Sequence, residues 1–321
     1  MSWKCLSKNT KGIHSKEPPY AEANLLRMPA GMALVFRTNS SQIAVRTHYL
    51  NYSMVRHSTT GVSQTGYDLY IRKDGGWLYA GSNAPKNEDA ELVLVRNMDD
   101  SEKECLLYLP LFSELGRIEI GIDEGARIEA SANPFRHRII IFGSSFTHGT
   151  STGRPGMSYP MIMQRNTGLQ FISLGVSGNS KLQQSFAAII GDNACDAIVV
   201  DAFSNPGSEM IRERFLPFVA AIRKAHPAIP LIFLQTIYRE RANFDLKERA
   251  REEEKRRAAR TVFEEAAKVY DDIYFVDEPD LTGTDHITSL DGTHPDDLGY
   301  WRWANAIQPR IVKILKKYGI R

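Results

Sequence analysis

The chain has 321 residues, with 40 Lys plus Arg against 38 Asp plus Glu and three cysteines. A formal net charge of +2 excludes the broad basic field that draws a protein to nucleic acid or anionic lipid, so a small or neutral ligand is expected. The length exceeds what one hydrophobic core usually serves and predicts two domains.

The opening residues, 1–20, are polar and lack the apolar stretch of a signal peptide, and no uninterrupted apolar span of about 18 residues occurs anywhere. The chain as given reads as soluble and not membrane-inserted. That favours the cytoplasm, with a secreted or periplasmic protein whose signal has been removed as the alternative. From about residue 20 to 133, short alternating or β-branched segments are punctuated by Gly, Asn, Asp and Pro, at 33–39, 42–50, 66–72, 76–81, 91–97, 105–112 and 117–122. This grammar predicts an all-β antiparallel sandwich or jelly roll over 1–133. Asp74-Gly75-Gly76 between two of the segments is a hairpin signal, because Gly tolerates positive φ.

At about residue 134 the pattern changes. Continuous apolar runs at 136–143, 171–175, 197–201, 230–235 and 273–277 have the character of buried parallel strands, and helical stretches at 158–165, 182–190, 210–225, 247–269 and 296–317 lie between and after them. Strands alternating with helices predict an α/β domain over 134–321, a parallel sheet covered on both faces. The charged stretch 248–260 mixes signs at i,i+4 spacing and is expected to be an exposed helix laced with weak ion pairs. Cys5, Cys105 and Cys195 are too scattered for a CxxC pair, a metal finger or a disulfide framework, and Cys195 is expected to be a buried, inert thiol.

In such a sheet, chemistry sits at the carboxyl ends of the strands. After the first comes Gly143-Ser144-Ser145-Phe146-Thr147-His148-Gly149, where a tight turn can expose the Ser145 hydroxyl as a nucleophile. After the second comes Gly175, whose lack of a side chain lets a backbone N–H approach a developing oxyanion, a contribution of roughly 3 kcal/mol. After the third, Asn205 offers its side-chain NH₂ to the same charge. Just ahead of the last helix, Asp291-Gly292-Thr293-His294-Pro295 puts a carboxylate three residues before a histidine, close enough to fix its tautomer. Each motif alone is also ordinary turn composition. Together they stand in the order an acyl-transfer site requires.

These four elements resemble the consensus blocks of the SGNH (GDSL-like) hydrolase family, with Ser145, Gly175, Asn205 and His294 at its namesake positions. The resemblance implies a three-layer α/β/α flavodoxin-like domain, a Ser145-His294-Asp291 triad and an oxyanion hole from Ser145, Gly175 and Asn205. Gly66-Tyr67-Asp68-Leu69-Tyr70 is similar to the GxDLY signature of the β domain that precedes one GDSL-like subfamily, and 154–160 and 174–179 look like that subfamily too. Two departures stand out: Ser144 replaces the Asp of GDS, and Phe203-Ser204-Asn205-Pro206 replaces the usual Gly-x-Asn-Asp.

The expected function is hydrolysis of small acyl esters, with O-acetyl groups on a carbohydrate as first choice and no cofactor or metal. Arg154 and His148 are candidate substrate contacts, His148 as a residue lining the cleft and Arg154 near the Ser145 loop, although an ion pair at the helix entry is the more ordinary duty for Arg154. Trp77, Tyr67, Tyr70 and Tyr79 are more readily core or cross-strand packing than sugar platforms. The rivals are a lipase or lysophospholipase, a catalytically idle carbohydrate-binding protein, and a metal hydrolase using His148, His286, Asp291 and His294, which lacks any clustered ligand spacing.

Overall fold

A computed structural model describes residues 2–5, 20–52, 58–88 and 90–321, the side chains of 3–5, 20 and 21 excepted. The polar segment 6–19 and the Cys5 thiol weighed above lie outside the described residues. The first part of the chain forms Ser2–Cys5 (β1), Tyr20–Leu26 (α1), Ala33–Thr38 (β2), Ile43–Asn51 (β3), Gly61–Thr65 (α2), Tyr67–Lys73 (β4), Gly76–Asn83 (β5), Leu92–Val95 (β6), Lys103–Tyr108 (β7), Glu114–Ile122 (β8) and Ile128–Ala130 (β9). The strands pair antiparallel in two sheets, ordered β1-β8-β3-β6 and β5-β4-β7-β2-β9. Phe36, Ile43, Val45, Tyr67, Leu69, Cys105, Leu107 and Ile120 meet between them as the sandwich core. At the β4–β5 hairpin Asp74 and Gly75 both take positive φ, 51° and 81°, as the Asp-Gly-Gly signal requires.

One apolar run in this domain does not alternate, and its packing explains why. In β7, Cys105 and Leu107 face the sandwich, while Leu106 and Tyr108 face outward into a second core shared with Phe135, Tyr159 and Met161. Covered on both sides, the run from Cys105 onward has no need of polar positions.

The second part runs Arg136–Gly143 (β10), Ser145–His148 (α3), Tyr159–Thr167 (α4), Leu169–Gly175 (β11), Gln184–Gly191 (α5), Ala197–Asp201 (β12), Ser208–Ala225 (α6), Leu231–Leu234 (β13), Leu246–Ala266 (α7), Ile273–Val276 (β14) and Asp297–Leu315 (α8). Its five strands are parallel, ordered β11-β10-β12-β13-β14. Period two divides the apolar runs between two faces. Ile139, Ile141, Val199, Ile232 and Leu234 pack with residues of α4 and α8, and Ile140, Phe142, Ile198, Val200, Leu231 and Phe233 pack with residues of α5, α6 and α7. The chain leaves β10 to one side for β11 and returns to its other side for β12, which makes the carboxyl end of β10 the topological switch point where ligands bind.

Helix α7 departs from the expected solvated rod. Its mixed charges do cover an exposed face, yet Glu252 and Lys255, three positions apart, point inward and are each only 2% exposed. Another departure is α1: Leu25 belongs to the core of the parallel sheet, and Glu22 accepts a hydrogen bond from Gln183 Nε2 at 3.0 Å.

Candidate active site

Ser145 is the first residue of α3, at the switch point. The Ser144 hydroxyl caps the helix by accepting from Phe146 N–H, and Gly149 at φ 93° ends it after a single turn. This leaves Ser145 6% exposed, with its hydroxyl turned toward His294. The loop before α8 brings the imidazole to it from the far end of the chain. Asp291 Oδ1 accepts from the backbone N–H of Thr293 and of His294, at 2.9 and 2.8 Å, and Asp291 Oδ2 lies 2.8 Å from His294 Nδ1. With Nδ1 donating to the carboxylate, Nε2 is free to accept from the Ser145 hydroxyl at 2.9 Å. Burial alone would raise the Asp291 carboxyl, but the N–H and ring of His294 and the N–H of Thr293 hold it below its usual range. The site therefore contains a hydroxyl, an imidazole in one tautomer and an ionised carboxylate in line, an arrangement able to deprotonate an alcohol.

The seat of Ser145 is built from below by a carboxyl not singled out in the sequence. Asp201, at the end of β12 and paired in register with Gly143, accepts from Thr147 Oγ1 at 2.9 Å and Tyr159 OH at 3.3 Å, and those two hydroxyls lie 2.8 Å apart. Its backbone carbonyl takes Ser144 N–H at 3.2 Å. Full burial pushes the Asp201 carboxyl up to about 7, against the lowering effect of the two hydroxyls. The sequence signal was an acidic residue closing the apolar run 197–201.

The two expected oxyanion donors beyond Ser145 are placed differently. Asn205 Oδ1 accepts Ser180 N–H at 3.1 Å, which fixes the amide and leaves its NH₂ without a partner among the described residues. Gly175 is spent on packing: a Cβ there would stand 2.4 Å from both the N and the Cα of His148. Because Val176 N–H bonds Gly143 O and amides alternate sides along a strand, the Gly175 N–H faces the outer edge of β11, away from Ser145. Three residues on, Gly178 sits at φ 75° as the third residue of a turn closed by Asn179 N–H to Val176 O, so its own N–H is not used by the turn. Both glycines are visible in the sequence. Strand register, packing and the turn at 176–179 tell them apart.

His148 does not line the cleft as expected, whereas Arg154 makes an ion pair, the duty the sequence favoured for it. His148 is fully buried, donates from Nε2 to Leu111 O at 2.6 Å and stacks on Phe112 with ring centroids 4.2 Å apart. It ties α3 to the β domain. Arg154 bonds the buried carboxylate of Asp68, donates to Tyr70 OH and lies over the Tyr79 ring at 4.5 Å. Further links join the same two parts: Ser151 Oγ to Ser58 O at 2.8 Å, Thr60 Oγ1 to Gly153 O at 2.7 Å, and Ser63 Oγ to Thr152 Oγ1 at 2.8 Å. Tyr67 and Tyr70 are buried, Trp77 packs on Phe135, and only Tyr79 is more than half exposed. His286 bonds Glu240 at 2.8 Å, and among the described residues no group of three or more His, Cys, Asp or Glu is placed to hold a metal. Cys195 is half-buried, its thiol raised by burial to about 12 and so kept un-ionised. No helix among the described residues is long and apolar enough to cross a membrane.

A parallel sheet with a serine and histidine paired at its switch point defines a carboxylic ester hydrolase of the α/β/α type. The chain belongs to the GDSL-like lipase/acylhydrolase family, whose model matches residues 136–312; residues 13–128 match the model for the N-terminus of SGNH-hydrolase-type esterases, known as GxDLY. It is similar to a GDSL-like lipase from Bacteroides ovatus, at 40% identity over 93% of this chain and 89% of that one, with a TM-score of 0.91. It also resembles the salicylyl-acyltransferase SsfX3 of a tetracycline biosynthetic pathway (21% identity, 94% and 88% covered, TM-score 0.75). A family two carbohydrate esterase from Clostridium thermocellum, solved with cellohexaose, matches at 13% identity, 89% and 93% covered, TM-score 0.61. The last two likenesses are of fold. No curated protein matches the chain.

Proposed function

We propose that this chain is a serine esterase acting on small acyl esters, O-acetyl groups of a carbohydrate first among them. The observation that carries the reading is the relay from Ser145 Oγ to His294 Nε2 at 2.9 Å and from His294 Nδ1 to Asp291 at 2.8 Å. His294 takes the Ser145 proton as the oxygen attacks the ester carbonyl; Asp291 stabilises the imidazolium, which returns the proton to the departing alcohol. Water, activated by the same imidazole, then releases the acyl group from Ser145. The oxyanion is held by Ser145 N–H and Asn205 NH₂, and the free N–H of Gly178 supports that residue, in place of Gly175, as the third donor.

The carbohydrate preference is supported by fold likeness to the carbohydrate esterases, which extends over both the β and α/β parts. Ser145→Ala is expected to abolish turnover of p-nitrophenyl acetate and labelling by a serine-directed phosphonate; wild-type turnover by that variant ends the assignment. Acetylated xylan is expected to be cleaved in preference to long-chain acyl esters, and the opposite preference would replace a carbohydrate esterase with a lipase.

A further inference from the structure

The inward face of α7 converges on one backbone atom. Lys255 Nζ and Arg239 Nη2 each donate to the carbonyl oxygen of Ser204, both at 2.8 Å. A carbonyl has two lone pairs, and here both are taken by cations. Around them Lys255 bonds Glu252 at 2.5 Å, Arg239 bonds Glu248 at 3.2 Å and lies 3.6 Å from Glu252, and Arg251 lies 2.8 Å from Glu248. Lys255 and Glu252 are 2% exposed and Arg239 9%.

Such a cluster is an expensive way to dock a helix. Desolvating a lysine and a glutamate costs several kcal/mol per ion before their attraction offsets it, and apolar side chains of similar volume commonly stabilise a protein more. Lys255 bears the strain visibly: burial first, then Arg239, lowers its ammonium to about 8. What the cluster supplies that leucines would not is a fixed direction for the Ser204–Asn205 peptide.

We propose that Lys255 and Arg239 are positioning residues for the Asn205 amide, holding it at the oxyanion through the Ser204 carbonyl. The inference rests on Asn205 being an oxyanion donor. The rest of the loop is pinned in the same sense, by Ser204 Oγ to Thr236 Oγ1 at 2.7 Å and by Asn205 Oδ1 to Ser180 N–H. With the preceding carbonyl and the amide oxygen both held, the planar Asn205 amide is fixed as a unit, its NH₂ included, and a rigid donor is what a transition state gains from.

A double-mutant cycle on the full chain tests this with p-nitrophenyl acetate. Lys255→Met is expected to lower kcat about tenfold while KM stays within about twofold, since an oxyanion donor acts in the transition state. In an Asn205→Ala background the same change is expected to cost less than about twofold more, because its effect passes through the missing amide. Equal losses in the two backgrounds, or a wild-type kcat for Lys255→Met, overturn the positioning role and leave the function reading intact. A wild-type kcat for Asn205→Ala overturns the positioning role together with the place of Asn205 as an oxyanion donor, while the Ser145–His294–Asp291 relay is judged by Ser145→Ala. Should Lys255→Met fail to fold, Arg239→Lys, which keeps the charge but loses the planar fork, is read in the same cycle with the same outcomes.

Discussion

One guanidinium nitrogen of Arg154 lies 2.7 and 3.0 Å from the two carboxylate oxygens of Asp68, whose side chain is fully buried. Asp68 also accepts Gly156 N–H at 2.9 Å, so a carboxylate of the GxDLY stretch organises the loop that follows α3. The β domain thereby holds that loop in place.

Removing Arg154 leaves that carboxylate buried with one backbone donor. Arg154→Met is expected to destabilise the protein by about 3 kcal/mol, the usual cost of stranding a buried charge. Chemical denaturation gives the number; a change below about 1 kcal/mol would mean that water reaches Asp68 without the arginine.

Gly175 and Gly178 are expected to respond oppositely to alanine. At Gly175 the new methyl meets the His148 backbone at 2.4 Å, which no rotamer relieves, so Gly175→Ala is expected to lose about 3 kcal/mol or more and most of its activity. At Gly178 nothing lies within 4 Å, and the cost is only that of holding alanine at φ 75°, about 1 kcal/mol. Thermal unfolding of the two variants decides; similar shifts would contradict the packing described.

Asp201 carries a pH signature. Its carboxyl is raised to about 7 in the folded protein from an ordinary 3.8, so the protonated form is the one the fold prefers. The stability it contributes is complete below about pH 4, falls as pH climbs to about 7, and is gone above that. Asp201→Asn keeps hydrogen-bonding capacity and does not ionise. Its melting temperature relative to wild type is expected to rise between pH 4 and 7 and then level, whereas a constant difference would show that Asp201 does not titrate there.

Asp291→Asn separates orientation from fold. The amide oxygen can still accept from Thr293 and His294 N–H, so the loop is expected to keep its shape. Its NH₂ faces Nδ1 and forces the imidazole proton onto Nε2, the wrong tautomer for a base. A drop in kcat of about 10³-fold or more at unchanged melting temperature is expected, and a loss below about tenfold would remove Asp291 from the relay.

What the sequence made legible was whatever is written locally. The runs 136–143 and 197–201 announce strands because both faces are covered, and Asp291 and His294 meet within one turn, so their spacing alone predicts the contact. The meeting of Ser145 and His294, 149 positions apart, followed from strand order and not from either motif. Long-range packing was illegible. His148 follows Ser145 in a stretch of cleft-like composition, but it ends α3 and Phe112 of the β domain stacks on it. The charged run in α7 hides which of its residues turn inward, because Arg239 and the Ser204 carbonyl that select them come from two other strand ends. Gly175 and Gly178 look alike in the sequence, yet the first ends β11 packed on His148 and the second lies in the open turn after it.

Helix α1 precedes every strand of the large sandwich sheet, yet Leu25 is buried in the parallel-sheet core and Gly31 rests on Ser173 of β11. On a ribosome Leu25 has no parallel-sheet core to enter until the strands of that sheet begin to be translated. The sandwich therefore emerges with one of its own flanks unsealed, and cutting the chain between its two matched segments would expose apolar surface on both fragments.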